Sequence, residues 1–120
     1  MGPVIAGFSR SPFTRAMKGD LAKTRPDDIA AKVVNSLISN VQLDPNIVED
    51  IIVGTAFPEG EQGFNLARII SFLSDLPESV PGVTINRFCG SSMQAIHDAA
   101  GRVAMGAGEV FIAGGGGVNV

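Results

Sequence analysis

The sequence predicts an α/β fold, with a mostly parallel sheet and helices on its faces. Short apolar runs that are typical of buried strands alternate with segments of helical periodicity, in the order β-α-β-α-β-α-β. Continuously apolar strands favour a parallel sheet, because such sheets are covered on both faces. The 120 residues fit one domain, 1–120, that is large enough to bury a core.

The first strand is predicted at Pro3–Phe8, where turn-forming residues follow the apolar run. The first helix is predicted to begin at Pro26, because Asp27 and Asp28 place acidic groups in its first turn. Apolar residues then recur at near-helical spacing, which predicts an amphipathic helix of about 14 residues. These residues are Ile29, Val33, Val34, Leu37, Ile38 and Val41.

The second strand is predicted at Asp50–Gly54. The loop Ala56–Gly63 leaves the carboxyl end of this strand, which is where ligands bind in open α/β sheets. We interpret Glu59 and Glu61 in this loop as solvated carboxylates rather than as an acid–base pair. The next helix is predicted at Asn65–Leu73. Its inward residues are predicted to be Leu66, Ile69, Ile70 and Leu73.

The third strand is predicted at Val83–Phe88, and it leads into a helix at Ser91–Met105. Cys89 and Gly90 therefore form the turn between them. Glycine has no Cβ, so Gly90 permits a tight turn and a close approach of a substrate to the backbone.

The last strand is predicted at Glu109–Ala113, after glycines that end the preceding helix. Gly101 lies inside that helix, where glycine costs about 1 kcal/mol relative to alanine. We therefore expect a close contact between helix and sheet at Gly101.

Cys89 is the only cysteine, and two interpretations apply to it. Free cysteine is commonly a small buried hydrophobe. At the N-terminus of a helix, however, unpaired N–H groups and the helix dipole stabilise a thiolate. The small residues around Cys89 favour the second interpretation, in which Cys89 is a nucleophile.

Two segments carry a resemblance to a known family. NRFCGSSMQAIHDAA (86–100) resembles the nucleophile segment of the thiolases, and EQGFNLAR (61–68) resembles the bacterial 3-ketoacyl-CoA thiolases in particular. The resemblance extends from Val4 to about Gly115 and implies the first part of a thiolase-like N-terminal domain, because thiolases are considerably longer chains. The tail Gly114–Val120 departs from the family pattern.

The resemblance implies an acyl-CoA C-acyltransferase of the fatty-acid β-oxidation type. Cys89 would be the catalytic nucleophile, and its own N–H one donor to an oxyanion. Coenzyme A and acyl-CoA would be substrates, with no bound cofactor and no metal. Family dimers pair the strand before the nucleophile, here Gly82–Arg87, so a homodimer or tetramer is implied. The family's activating His, second Cys and most CoA contacts lie in later parts of its chains.

Charge and composition argue against several classes of protein. The net charge is −3 and the nine Lys and Arg are scattered, so no basic stripe predicts binding to nucleic acid. No apolar stretch is long enough to predict a membrane span. A single cysteine predicts a reducing compartment, and we expect a cytoplasmic protein.

The only histidine, His97, lies eight residues after Cys89 in the same predicted helix. That spacing separates the two along the axis by about 12 Å, so His97 is interpreted as structural rather than as the base that a cysteine nucleophile needs. Two alternatives therefore remain open beside the acyltransferase. One is a non-catalytic assembly module of a split thiolase, and the other is a related condensing enzyme that acts on carrier-protein thioesters.

Overall fold

A computed structural model describes residues 2–116. Three parallel strands form one sheet in the spatial order β2-β1-β3. The strands are β1 (Asp50–Thr55), β2 (Val83–Ile85) and β3 (Phe111–Gly116), and the helices are α1 (Pro26–Asn40), α2 (Leu66–Leu73) and α3 (Ser91–Ala104). Short 3-10 turns occur at Pro45–Ile47 and Gly60–Gln62. The predicted fold class, a parallel α/β sheet with helices on its faces, is confirmed.

The two faces of β1 bury different helices, because successive side chains of a strand point to opposite faces. Ile51 and Val53 pack into the main apolar cluster with residues of α1 and α2. Ile52 faces the other way and is fully buried. On that side α3 packs against β1 and β3, with its Ala95 also fully buried. The sheet is thus covered on both faces, as the apolar strands predicted.

The predicted first strand, Pro3–Phe8, does not form. This segment pairs with no strand within residues 2–116, and its apolar side chains lie in solvent, with Val4 79% and Phe8 86% exposed. An apolar run gives a segment strand propensity, but this propensity depends on context, and the sheet of β2, β1 and β3 includes no residue of this segment. The order of helices and strands therefore begins with α1.

The buried face of α1 agrees with the predicted apolar stripe at Val34 and Ile38 and differs from it at Ile29, Val33 and Val41. The buried positions are Asp27, Ala31, Val34 and Ile38, which follow each other at helical spacing. Val41 lies beyond the end of the helix and is exposed. The small Ala31 therefore lies on the buried face of α1, although the pattern of larger apolar residues did not include it.

Asp27 is a charged residue buried at the start of α1. Its carboxylate accepts hydrogen bonds from Arg25 Nε at 3.1 Å and Nη2 at 2.9 Å, and from the backbone N–H of Asp28 at 2.9 Å. The hydrogen bond from Arg25 to Asp27 and the negative charge of Asp27 raise the pKa of the Arg25 guanidinium. A negative charge at this position also complements the helix dipole.

Two further details differ from the sequence predictions. Leu73, predicted to point inward, is the last residue of α2 and is half exposed, whereas Leu66 and Ile70 are buried as predicted. Gly101 makes no close contact: a Cβ built there would have no atom within 4 Å. Its place on the exposed side of α3 leaves no packing reason for the glycine.

The exposed apolar side chains of the N-terminal segment are expected to bind a dye such as ANS. Replacing Phe8 and Phe13 by Ser is predicted to lower ANS fluorescence, since both rings lie in solvent. The free energy of unfolding is expected to change by less than about 0.5 kcal/mol for each replacement. Ile70→Ala is the control, because loss of this buried side chain is expected to cost about 2–5 kcal/mol. A denaturant titration that gave Phe8→Ser an equal cost would contradict the exposed placement.

Candidate active site

The turn that carries Cys89 begins earlier than the sequence predicted. β2 ends at Ile85, and the chain turns through residues 86–90 before α3 begins at Ser91. The Asn86 side-chain Oδ1 accepts a hydrogen bond from the backbone N–H of Phe88 at 2.8 Å. Side chains of this kind form local turns that compete with strand pairing. This bond therefore gives a physical reason for the short β2.

Phe88 adopts a left-handed backbone conformation, with φ of +47°. For a residue with a Cβ this conformation costs about 1–2 kcal/mol. The strained residue immediately precedes Cys89 and turns the chain sharply from strand to helix. Its own side chain is exposed. Strain of this kind is stable only when surrounding bonds hold it in place.

Ser91 supplies several of those bonds. Its hydroxyl accepts a hydrogen bond from the Arg87 N–H at 2.7 Å and donates one to the Phe88 carbonyl at 2.7 Å. The Ser91 N–H donates to the same carbonyl at 3.1 Å, and the Gly90 N–H donates to the Arg87 carbonyl at 3.0 Å. Ser91 itself is 3% exposed. The turn around Cys89 is thus closed by five hydrogen bonds within six residues, counting that of Asn86.

The first turn of α3 lies directly on the sheet because two strand residues have no side chain. A Cβ on Gly54 of β1 would lie 2.3 Å from the Ser91 carbonyl carbon, and a Cβ on Gly115 of β3 would overlap the Ser92 hydroxyl. Gly54 and Gly115 are paired neighbours in the sheet. Together they form a flat surface on which the helix backbone rests. This contact fixes the turn at the carboxyl ends of the parallel strands.

Cys89 is exposed, which excludes the interpretation of this cysteine as a buried small hydrophobe. A cavity of about 270 Å³ lies beside it, lined by Thr55, Phe88, Ser92 and Gly116 among others. Gly90 is the N-cap of α3, so Cys89 lies one residue before the N-cap. Within the described residues, the N–H groups of Ser92 and Met93 in the first turn have no hydrogen-bond partner. Unpaired N–H groups at a helix start favour a negative charge nearby.

Residues of the segment Glu61–Arg68 form hydrogen bonds to β2 and to Gly82, which precedes it. Asn65 is the N-cap of α2, and its side-chain Nδ2 donates to the Gly82 carbonyl at 2.9 Å. The Thr84 hydroxyl donates to Asn65 Oδ1 at 2.6 Å and accepts from the Ala67 N–H at 2.9 Å. These bonds tie the start of α2 to the strand that leads to Cys89. An asparagine just before a helical pattern signals such a cap, but the partner Thr84 is not evident from sequence.

A second set of bonds anchors the start of β2 to β1 and α3. Asp50 Oδ1 accepts from the Gly82 N–H at 2.8 Å, and Asp50 Oδ2 forms an ion pair with Arg102 Nη1 at 2.6 Å. The Arg68 guanidinium donates to the Glu78 carbonyl at 2.9 Å and stacks over the Phe72 ring at 3.9 Å. The linker into β2 is therefore held by side chains of β1 and α2, and Arg102 of α3 pairs with the β1 carboxylate.

The polar residues of the loop after β1 have structural or solvated positions. Gln62 is buried and donates its Nε2 to the Phe57 carbonyl at 3.0 Å. Glu59 and Glu61 are exposed, and Glu61 lies 3.8 Å from the Arg25 guanidinium. These positions agree with the interpretation of the two carboxylates as solvated.

Other candidate sites lack reactive groups. His97 is exposed on α3, away from the turn, and residues 2–116 contain no cluster of three or more His, Cys, Asp or Glu that would hold a metal. A larger cavity of about 650 Å³ lies at the opposite end of the sheet, between Ile47, Val103 and Val110, and contains no nucleophile. No helix in the described part of the chain has the length and hydropathy to cross a membrane.

Comparisons with known proteins agree with this geometry. Residues 3–117 match the family described as "Thiolase, N-terminal domain". The chain is 42% identical to the 3-ketoacyl-CoA thiolase of Saccharophagus degradans over 113 residues, and 45% identical to that of Acinetobacter baylyi over 112 residues. Each match covers 93% of this chain and 29% of the relative. In structure the chain is similar to the Bacillus anthracis acetyl-CoA acetyltransferase, with a TM-score of 0.86, 33% identity, and coverage of 93% of this chain and 28% of that one.

The parallel α/β sheet presents an exposed cysteine between a strand and a helix. The family match covers almost the whole chain, and together these findings define the class of protein. The chain belongs to the thiolase N-terminal domain family. It spans less than a third of the length of the thiolases that it matches, at 29% of each.

The contact between Gly54 and α3 predicts opposite effects for two glycine replacements. Gly54→Ala is expected to destabilise the protein by about 2 kcal/mol or more, because the new Cβ would overlap the Ser91 backbone. Gly101→Ala is the matched control on α3; nothing lies near its Cβ, so a gain of about 0.5–1 kcal/mol is expected. Thermal and denaturant unfolding measure both. Equal stability of the two variants would show that α3 does not rest on Gly54.

Proposed function

We propose that this chain is the nucleophile-bearing part of an acyl-CoA C-acyltransferase of the thiolase type. The observation that supports this most directly is the position of Cys89. It lies exposed beside a cavity, between a strained left-handed residue and the first turn of a helix. The relatives named 3-ketoacyl-CoA thiolase support the choice of substrate, a 3-ketoacyl-CoA.

In the proposed reaction the Cys89 thiolate attacks the 3-keto carbonyl carbon, and the carbonyl electron pair moves onto oxygen. Collapse of this adduct breaks the bond between carbons 2 and 3, leaves the shortened acyl group on Cys89, and releases acetyl-CoA after its carbanion takes up a proton. A second CoA thiolate then attacks the Cys89 thioester and carries the acyl group away. In this scheme the N–H of Cys89 is one donor to the oxyanion.

The base that activates Cys89 and the acid that protonates the leaving carbanion are proposed to come from chain beyond this segment, as the resemblance implies. A helix N-terminus stabilises a charge by only about 0.3–2 kcal/mol, so it does not replace a base. Degradation of fatty acids by β-oxidation, in the cytoplasm, is the proposed setting. Coenzyme A and acyl-CoA are substrates in this proposal, and no bound cofactor is required.

An open sheet edge supports a proposed homodimer or tetramer. Within residues 2–116 the outer edge of β2 pairs with no strand, and β2 leads directly to Cys89. An exposed strand edge is a ready template for pairing with a second copy of the chain. The same edge supports the second candidate function, a non-catalytic assembly module, in which pairing through β2 would be the whole role.

A chimera tests the enzymatic proposal. Residues 1–116 are joined to the part of the Acinetobacter baylyi thiolase that follows its matched segment, and acetoacetyl-CoA cleavage is measured. The chimera is expected to cleave the substrate, whereas the 120-residue chain alone is expected to give no measurable turnover, because each missing proton-transfer group is worth about 100- to 10,000-fold. Cys89→Ala is expected to abolish cleavage by the chimera.

Gly101→Ala in the chimera is the control, since it lies on the exposed side of α3 and is expected to leave activity unchanged. Cleavage that persists in the Cys89→Ala chimera would contradict the role of Cys89. A folded, dimeric chimera without any cleavage would favour the assembly module.

A further inference from the structure

Ser91 is a buried polar residue two positions after Cys89, and the proposed chemistry gives it no part. Its hydroxyl forms two hydrogen bonds in the turn: it accepts from the Arg87 N–H and donates to the Phe88 carbonyl, both at 2.7 Å. A hydroxyl that only capped the helix would bond an N–H of the first helical turn. The Ser91 hydroxyl instead bonds two backbone groups that precede the helix, the Arg87 N–H and the Phe88 carbonyl, which flank the peptide unit between Arg87 and Phe88.

The Phe88 carbonyl is consequently fixed by two donors, the Ser91 hydroxyl and the Ser91 N–H. This carbonyl shares its peptide plane with the N–H of Cys89. In a trans peptide the C=O and N–H point in opposite directions. Since the carbonyl points at the start of α3, the Cys89 N–H points away from the helix. No acceptor for this N–H occurs among residues 2–116.

We propose that Ser91 is a positioning residue, whose hydroxyl holds the Phe88–Cys89 peptide so that the Cys89 N–H is presented to a developing oxyanion. The inference rests on the proposed function, because it assigns an orientation to the donor that this function requires. Ser91 touches no substrate atom and acts through the peptide. Its burial and its contact with Gly54 keep the hydroxyl in this place.

The reaction of Cys89 with two electrophiles separates positioning from stability. Phenyl thioacetate acylates the thiol: Sγ attacks the carbonyl carbon, an oxyanion forms, and collapse breaks the bond to sulfur and releases thiophenolate. Iodoacetamide alkylates the same thiol by displacing iodide, with no oxyanion. Intact-mass spectrometry of the 120-residue chain follows both rates, with Cys89→Ala as the blank.

Ser91→Ala is expected to slow acylation by about 10- to 100-fold, since removal of a whole oxyanion donor costs at least as much. Alkylation is expected to stay within about twofold, because that step has no oxyanion for the N–H to stabilise. Ser71→Ala is the matched control: Ser71 is 1% exposed and its hydroxyl donates to the Val80 carbonyl at 2.9 Å, far from Cys89. It is expected to change neither rate. Ser91→Thr, which retains the hydroxyl, is expected to restore acylation.

An equal fall in both rates, or an unchanged acylation rate, would overturn the proposal. Should Ser91→Ala fail to fold, Asn86→Ala decides, because it removes the exposed second side-chain bond to this turn; it is expected to lower acylation relative to alkylation, and an unchanged ratio overturns the proposal. Should the wild-type chain be alkylated but not acylated, the proposed function is still tested by the chimera, because its base comes from chain beyond this segment. In that case the NMR amide resonance of Cys89 decides: a shift in Ser91→Ala but not in Ser71→Ala supports the positioning role, and no shift overturns it.

Discussion

The direct contact between the first turn of α3 and two strand glycines determines where the functional turn lies. Gly54 and Gly115 are neighbours in the sheet, and neither leaves room for a Cβ beneath Ser91 and Ser92. Protein interiors are packed as densely as crystals of small molecules. A helix that lies this close to a sheet therefore has one packing position and little freedom to shift along the strands. Because the strands are parallel, their carboxyl ends meet at this same edge. Cys89 is placed there as a consequence of the contact.

Two sets of hydrogen bonds then hold the turn. In the turn itself, the side chains of Asn86 and Ser91 bond the backbone around the left-handed Phe88. Before β2, the side chains of Asn65 and Asp50 bond the backbone of Gly82. β2 has only three residues, so ladder pairing alone would fix it weakly. The strained conformation before the cysteine is thus stabilised by side chains from α2, β1 and α3, which explains how it is tolerated in a loop.

Local patterns predicted the fold class, the turn at Cys89 and the approximate bounds of α1, α2 and α3, because strand and helix periodicity depend on nearby residues. The strand at Pro3–Phe8 and the inward side of Leu73 were wrong, since both depend on which partner surface is present. The contact expected at Gly101 lies instead at Gly54, which is not evident without the position of α3. The bonds of Ser91 could not be predicted either, because they follow from the backbone angles of the turn. The role of Cys89 itself remains a prediction.

The seating of α3 on the sheet is measured most directly by nuclear Overhauser effects in the 120-residue chain. A Cβ on Gly54 would lie 2.7 Å from the Ser91 Cβ, so the Gly54 Hα proton on that side lies at a similar distance. A strong effect between Gly54 Hα and Ser91 Hβ, and a second between Gly115 Hα and Ser92 Hβ, are therefore predicted. Absence of both, in a spectrum that shows the cross-strand effects between β1 and β3, would contradict the seating of α3 and the placement of Cys89 that depends on it.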